Sequence, residues 1–260
     1  MTSLKDLIKA VNEEKPVTVR HESWLEKNAD PTYSPEAIAF AAAELAGTEN
    51  SNSGPKVRMF RASGMNGCMR QRIFQRSGME QQTPPNARTA NIFHTGNFIH
   101  LKWQMAGMTE GWLAQPEVAM ECEDLQLRGH TDGILFDGSL LEIKSINSRG
   151  FDRVYKDGVK EDHKMQATAY LYMQDKKSIS FIYENKDNQE WYEIRYTRNS
   201  KDEDEMLKQM KTLVQYWEDD RLPRILSSCE RKEGTNYNYC PFKKECAALH
   251  AVEDEGFTHG

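Results

Sequence analysis

Residues 129–145, GHTDGILFDGSLLEIKS, decide how the rest of the chain is read. The stretch describes two strands around a tight turn. An apolar run ends near Phe136, the polar gap Asp137-Gly138-Ser139 follows, and a second run covers residues 140–145. A glycine in a short polar gap between such runs is a hairpin signal. Side chains alternate along a strand. Glu142 and Lys144 therefore share one face, while Leu141 and Ile143 point the other way, into a core. Across the turn, Asp132 can face the same way as Glu142. Two carboxylates and an ammonium then meet at one spot. Close carboxylates repel each other, and a divalent cation removes the conflict. The plain alternative is an exposed hairpin with a surface ion pair.

The surroundings of this hairpin are those of a soluble globular chain. There are 260 residues, 38% hydrophobic and 28% charged, enough for one large domain or two small ones with a sizeable core. No apolar run approaches the ~18 residues of a membrane span. The opening MTSLKDLIKAVNEEK has no signal-peptide pattern, so a cytoplasmic location is expected. The five cysteines are an odd number, which argues against a disulfide framework. In a reducing compartment clustered cysteines more often bind metal. The net charge of −6 is not that of a protein coating nucleic acid. The charge is uneven, however. Residues 51–79 contain no acid but hold Lys56, Arg58, Arg61, Arg70, Arg72 and Arg76. Such a patch can meet phosphates, or it can be an ordinary solvated face.

Outward from the hairpin, the chain divides into helices and strands. Residues 3–13 suggest a short amphipathic helix. A second starts at Ser34-Pro35-Glu36, where Ser caps, Pro suits the first turn and Glu favours the positive helix end. TENSNSGP, residues 48–55, is a polar linker. Residues 68–76 look helical, and 90–105 more so. A strand at 117–123 precedes the hairpin and completes a three-strand meander. A helix at 162–174, two strands at 177–183 and 189–196, and a helix at 202–219 follow. The order is helix, three strands, helix, two strands, helix. It predicts an α/β (α+β) core with a mixed central sheet. Residues 1–55 form a helical extension and linker, 56–225 the core, and 226–260 a cysteine-bearing segment with an acidic tail.

Asp132 followed by Glu142-Ile143-Lys144 resembles the signature of the PD-(D/E)xK nuclease superfamily. Three further features are similar to its RecB-like branch, which includes bacterial recombination nucleases and CRISPR-associated exonucleases found also in phages. Gly96-x3-His100 stands where that branch carries a metal-binding histidine. Gln166-x3-Tyr170 fits its motif on the helix after the meander. Cys68 before the core, with Cys229, Cys240 and Cys246 after it, resembles the ligand set of the branch's 4Fe–4S cluster. The closing C-x5-C matches. The usual C-x2-C before it does not, because position 237 is Tyr, and Cys229 becomes the third ligand. Four thiolates can also hold zinc. Cys122 is read as a small buried residue. The resemblance spans about residues 62–246.

The resemblance implies a restriction-endonuclease-like fold and a Mg²⁺- or Mn²⁺-dependent deoxyribonuclease that hydrolyses phosphodiester bonds in recombination, repair or phage DNA processing. His100, Asp132, Glu142 and the carbonyl of Ile143 hold the cation in this reading. Lys144 orients or deprotonates water or counters charge, and Gln166 and Tyr170 contact DNA or the lysine. Arg58, Arg61, Arg70, Arg72 and Arg76 meet the DNA, and Arg128 and His130 share the strand parity of Asp132. The substrate is single-stranded DNA or duplex ends, with exonuclease action favoured. An endonuclease or nickase of the same fold, a non-catalytic DNA-binding subunit working with a recombination or CRISPR partner, and a zinc-stapled domain are the competing readings.

Overall fold

The structure, a computed structural model, describes residues 15–28, 30–47, 59–80 and 86–249. The expected helix at 3–13, the linker at 48–55, Arg58 and the tail from 250 lie outside the described residues. In chain order the elements are α1 (Thr18–Lys27), α2 (Pro35–Ala46), β1 (Phe60–Arg61), a 3₁₀ turn (Ala62–Gly64), α3 (Met69–Ser77) and α4 (Ala87–Glu110). The meander follows as β2 (Leu113–Cys122), β3 (Leu127–Leu135) and β4 (Leu140–Ile146). The rest is α5 (Ser148–Asp157), α6 (Glu161–Met173), β5 (Ser178–Asn185), β6 (Trp191–Thr197), α7 (Ser200–Glu218), and the short α8 (Ser227–Glu230) and α9 (Gly234–Asn238).

Capping chemistry explains where these elements begin and end. The Ser34 hydroxyl accepts the Ala37 N–H at the start of α2, and Asn86 does the same for Thr89 at the start of α4. Helix α4 ends at Gly111, whose φ of +77° is the left-handed cap that glycine adopts without a Cβ penalty. Trp112 then folds back on the helix. A Cβ on Gly107 would come within 2.6 Å of its ring, so the close return needs glycine there. Strand β2 starts at once, four residues earlier than the sequence pattern suggested. Its Pro116 is tolerated because, among the described residues, β2 is an edge strand paired with β3 alone. Helices α1 and α5 were not anticipated. Helix α5 is mostly polar, but Asn147 caps it through Gly150 N–H, and Phe151 and Val154, three apart, supply its buried contact.

The six strands form one mixed sheet, ordered β1-β3-β4-β5-β6 with β2 on the other edge of β3. The β2–β3, β3–β4 and β5–β6 pairs are antiparallel, and β1–β3 and β4–β5 are parallel. Strand β5 is buried along its whole length, as a central strand covered on both faces must be. One face packs Leu140, Phe181 and Tyr183 against α6 and α7, with Leu171, Met206 and Met210. The other packs Leu141, Ile143 and Ile182 against Trp103 of α4 and Val17 beside α1. Each large side chain removed from water this way contributes about 1.5–3 kcal/mol. Among the described residues, no helix is long and apolar enough to cross a membrane.

Candidate active site

The site arises from how β3 divides one of its edges. Strand β2 pairs along the whole of β3, from Leu127 to Leu135. The opposite edge is taken by β1 at Leu127 and Arg128, and by β4 only at Gly133 and Ile134. Between them, on this edge, residues 129–132 have no neighbouring strand among the described residues, and buried backbone groups need partners. Side chains supply them where β4 splays away. The Thr131 hydroxyl donates to the Leu141 carbonyl, and the Ile143 N–H donates to Asp132 Oδ2. The loss of ladder pairing thus draws the Asp132 carboxylate into the gap beside Glu142.

Helix α4 closes the gap from one side. It passes so near the end of β4 that a Cβ on Gly96 would stand 3.2 Å from Ser145 Oγ. One turn on, His100 Nδ1 lies 3.0 Å from Asp132 Oδ1. Helix α6 closes the gap from the other side. Lys144 Nζ donates to Glu142 Oε1 at 2.6 Å and to Gln166 Oε1 at 3.0 Å, and Gln166 Nε2 donates to the Tyr170 hydroxyl at 2.6 Å. Tyr170 reaches this place because residue 129 is glycine; a Cβ there would sit 2.5 Å from its ring. His100, Asp132, Glu142, Lys144, Gln166 and Tyr170 are thus brought together around one gap.

Burial sets the electrostatics. It drives the Glu142 carboxyl up to about 7; Lys144 opposes the rise and the Asp132 charge reinforces it. Burial pushes Asp132 up too, but His100, the Ile143 N–H and Lys144 outweigh it and hold that carboxyl below the usual range. Burial disfavours the charged forms of His100 and Lys144, and the facing carboxylates overcome it, so both are raised. Glu142 Oε2 is buried with no hydrogen-bond partner among the described residues. An orphaned carboxylate oxygen costs about 1–3 kcal/mol or more. Oxygen donors around an imidazole suit a divalent cation such as Mg²⁺ or Mn²⁺. As the side chains stand, no three of His, Cys, Asp or Glu among the described residues converge to grip an ion. His100 is turned to Asp132, and Lys144 covers Glu142.

Two site residues escaped the sequence reading. Glu117 sits in β2 between Pro116, paired with Gly133, and Val118, paired with Thr131, and so lies opposite Asp132. Its φ is +44°, a left-handed conformation costly for a non-glycine. Burial first, then the Asp132 charge, pushes its carboxyl up to about 7. Gln104 holds both strands, donating to Glu117 Oε1 at 2.7 Å and to the Asp132 carbonyl at 3.0 Å. The late start assigned to β2 had hidden the Glu117–Asp132 register.

The basic stretch requires a correction. Arg61 is exposed, but Arg70, Arg72 and Arg76 are buried and do not form a solvated surface patch. Arg72 and Arg76 fall on the side of α3 packed against β1 and α7, where Arg72 reaches the Met210 sulfur and Arg76 the Trp217 ring, while Arg70 turns to the cysteine cavity. Burial lowers Arg72 to about 10. Arg128 is half-buried and His130 exposed.

At the far end of α3, Cys68, Cys229, Cys240 and Cys246 line one cavity of about 60 Å³, together with Arg70, Lys232 and Lys243. Phe242, between the last two cysteines, packs on Phe74 of α3 and brings that loop to Cys68. Burial raises the Cys229, Cys240 and Cys246 thiols. The four cysteines and three cations line one cavity, but as the side chains stand no three of the cysteines converge to grip an ion. Cys122 lies elsewhere, against the larger core.

No protein-family model matches the sequence, and neither does any curated protein. The fold does have solved neighbours. LHK-Exo in complex with dAMP is 17% identical, with a TM-score of 0.52 over 63% of this chain and 90% of that one. The alkaline exonuclease LHK-Exo from Laribacter hongkongensis is 15% identical, with a TM-score of 0.45 over 63% and 90%. A phage-related exonuclease from Haemophilus somnus 129PT is 12% identical, with a TM-score of 0.45 over 62% and 94%. At these identities the similarity is one of fold, a mixed sheet flanked by helices.

Proposed function

We propose that the chain is a Mg²⁺- or Mn²⁺-dependent DNA exonuclease. The observation that carries this reading is Glu142 Oε2, buried between Asp132 and Lys144 with no hydrogen-bond partner among the described residues. His100, Asp132, Glu142 and the Ile143 carbonyl would hold the cation, which would activate water and relieve charge on the phosphate. The remaining work falls to the protein. His100 and the Ile143 N–H fix both oxygens of Asp132. Lys144 keeps its proton on Nζ and counters the charge that develops on the phosphate oxygens. Gln166 orients Lys144 and is itself held by Tyr170. Glu117 and Gln104 anchor the facing strand.

The cysteine cavity would hold a 4Fe–4S cluster, with zinc as the alternative, pinning α3 to the C-terminal segment. Its geometry assigns it no step on DNA. A role in recombination, repair or phage DNA processing belongs to the same reading, as does a cytoplasmic location. Exonuclease action is favoured over endonuclease action by the likeness in fold to LHK-Exo, itself an alkaline exonuclease. The test is cleavage of matched linear and covalently closed circular DNA, single- and double-stranded. Cation-dependent loss of linear DNA with circles intact supports it. Equal cutting of circles makes the protein an endonuclease, and no cutting of any form leaves a DNA-binding subunit.

A further inference from the structure

We propose that Glu184 is a positioning residue for the cleavage centre: its carboxylate clamps α4 to β5 and so sets where His100 stands. The clamp itself is independent of the function proposed above; its service to a bound cation rests on that reading. Glu184 lies near the end of β5, with 0% of its side chain exposed. Lys102 Nζ donates to its two oxygens at 2.7 and 2.6 Å, and Trp103 Nε1 donates to Oε2 at 2.6 Å. Trp103 is itself buried, whereas the Lys102 side chain is 37% exposed.

A buried carboxylate is a poor means of fastening a helix to a sheet. Taking the charge out of water is costly, and apolar side chains of similar volume often serve stability as well or better. What a buried ion pair can add is register. Successive residues of a helix point about 100° apart. One fixed acceptor that holds the consecutive residues Lys102 and Trp103 therefore fixes the rotation of α4 about its axis and its height along β5.

The clamp brackets His100. Four residues before it, Gly96 packs so close to the sheet that a Cβ would stand 3.2 Å from Ser145 Oγ. Two and three residues after it, Lys102 and Trp103 reach Glu184. Ser145 and Glu184 are direct partners across the parallel β4–β5 ladder, so both anchors rest on one rung of the sheet. Between them His100 Nδ1 comes to 3.0 Å from Asp132 Oδ1. A slip of one residue in α4 would turn the imidazole by about 100° and shift it about 1.5 Å along the axis, out of reach of Asp132. Glu184 thus acts on the cation through His100.

The test is a double-variant cycle on the full chain, read without DNA. Mn²⁺ uptake is followed by the electron paramagnetic resonance of the free ion, Mg²⁺ by competition with Mn²⁺, and the fold by melting temperature. Glu184→Gln keeps the shape but turns an amide NH₂ on one of the donors. Glu184→Met, apolar and of similar volume, takes its place if the first variant does not fold. His100→Ala removes the imidazole. We expect Glu184→Gln to weaken Mn²⁺ binding about tenfold, in the range of outer residues around a metal. Mg²⁺ binding should weaken less, because an imidazole nitrogen favours manganese. In the His100→Ala background the same change should have no further effect, since the two residues act as one unit. An equally large loss in that background overturns the proposal, because Glu184 would then serve the fold and not His100. Unchanged Mn²⁺ binding by Glu184→Gln or its substitute also overturns it. A parent that binds Mn²⁺ and cuts no DNA overturns the nuclease reading, while the cycle still decides the clamp. A parent that takes up no Mn²⁺ overturns both.

Discussion

The carboxylate centre and the cysteine cavity are held together by different means. The first is built on strands. Asp132, Glu142 and Lys144 are spaced by pleats, and hydrogen bonds to Ile143, Gln166 and His100 fix their side chains. The second is built on the end of α3, two helices of 4 and 5 residues, and turns between them. Its four thiols share a cavity without backbone ladders to hold them there. A strand-built site stands before its ligand arrives and carries an electrostatic strain in waiting. A loop-built site is completed by its ligand. Cation loss should therefore silence the first and leave the fold, whereas metal loss should loosen the second.

The largest effect should come from Asp132→Ala, which removes the oxygens that His100 and Ile143 orient. Loss of a cation's help is worth several kcal/mol, or roughly 10³-fold or more in rate. Steady-state cleavage of linear DNA in Mn²⁺ measures it, with circular dichroism checking that the fold persists. An unfolded variant would mean that the two sites do not differ as argued.

On the cysteine side, any one of Cys68, Cys229, Cys240 or Cys246 changed to Ser should give protein poor in metal. Its melting temperature should fall by on the order of 10 °C, at roughly 2–4 °C per kcal/mol for a chain of this size. Cys122→Ser should keep both metal and melting temperature. Metal analysis of protein purified without oxygen decides between iron with sulfide and zinc. Metal retained after Cys229→Ser would remove that residue from the set.

Glu142→Gln sharpens the contrast, because it should stabilise the protein while destroying its activity. Folding raises the Glu142 carboxyl from its ordinary 4.5 to about 7. Between those values the folded chain holds more protons than the unfolded one. Stability in chelator therefore falls as pH rises through that window. The variant should match the parent near pH 4.5 and melt a few degrees higher (~2–4 °C for each kcal/mol relieved) at pH 8. A variant that melts lower at pH 8 would show that the carboxylate supports the fold.

The smallest effect belongs to Glu117→Gln. It leaves the Gln104 contact with a neutral partner and removes a charge facing Asp132. The expected change is about tenfold in apparent cation affinity, in the range of outer residues around a metal, with the maximal rate retained. Titration of Mn²⁺ against rate separates the two quantities. A fall in maximal rate at saturating cation would move Glu117 into the reacting set.

Much of this was legible in the sequence because it depends on local period. The hairpin, its turn and the Glu142–Lys144 face follow from alternation. Gln166 and Tyr170 follow from the spacing of four along α6. The grouping of Cys68 with Cys229, Cys240 and Cys246 comes from a resemblance and not from periodicity, and what the structure adds is a cavity that all four line. What escaped depends on register between distant strands. Nothing near Pro116 announces that Glu117 will oppose Asp132. The arginines misled for a related reason. A run without acids reads as a surface, but Arg72 and Arg76 are buried where methionine sulfurs and aromatic rings receive them, and Arg70 is buried at the cysteine cavity. Helix α5 was hidden by its polarity, since only Phe151 and Val154 face the core.

On the function proposed above, the gap between β3 and β4 is a cation-dependent DNA-cleaving centre. The most direct measurement compares nucleotide release from linear DNA by the parent and Lys144→Ala, in Mn²⁺ and in chelator. The parent should release nucleotides in Mn²⁺ and stop in chelator. Lys144→Ala should be slower by about 10²–10⁴-fold with its melting temperature and Mn²⁺ affinity nearly unchanged. Release that continues in chelator, or a variant that cuts at the parental rate, would contradict the account.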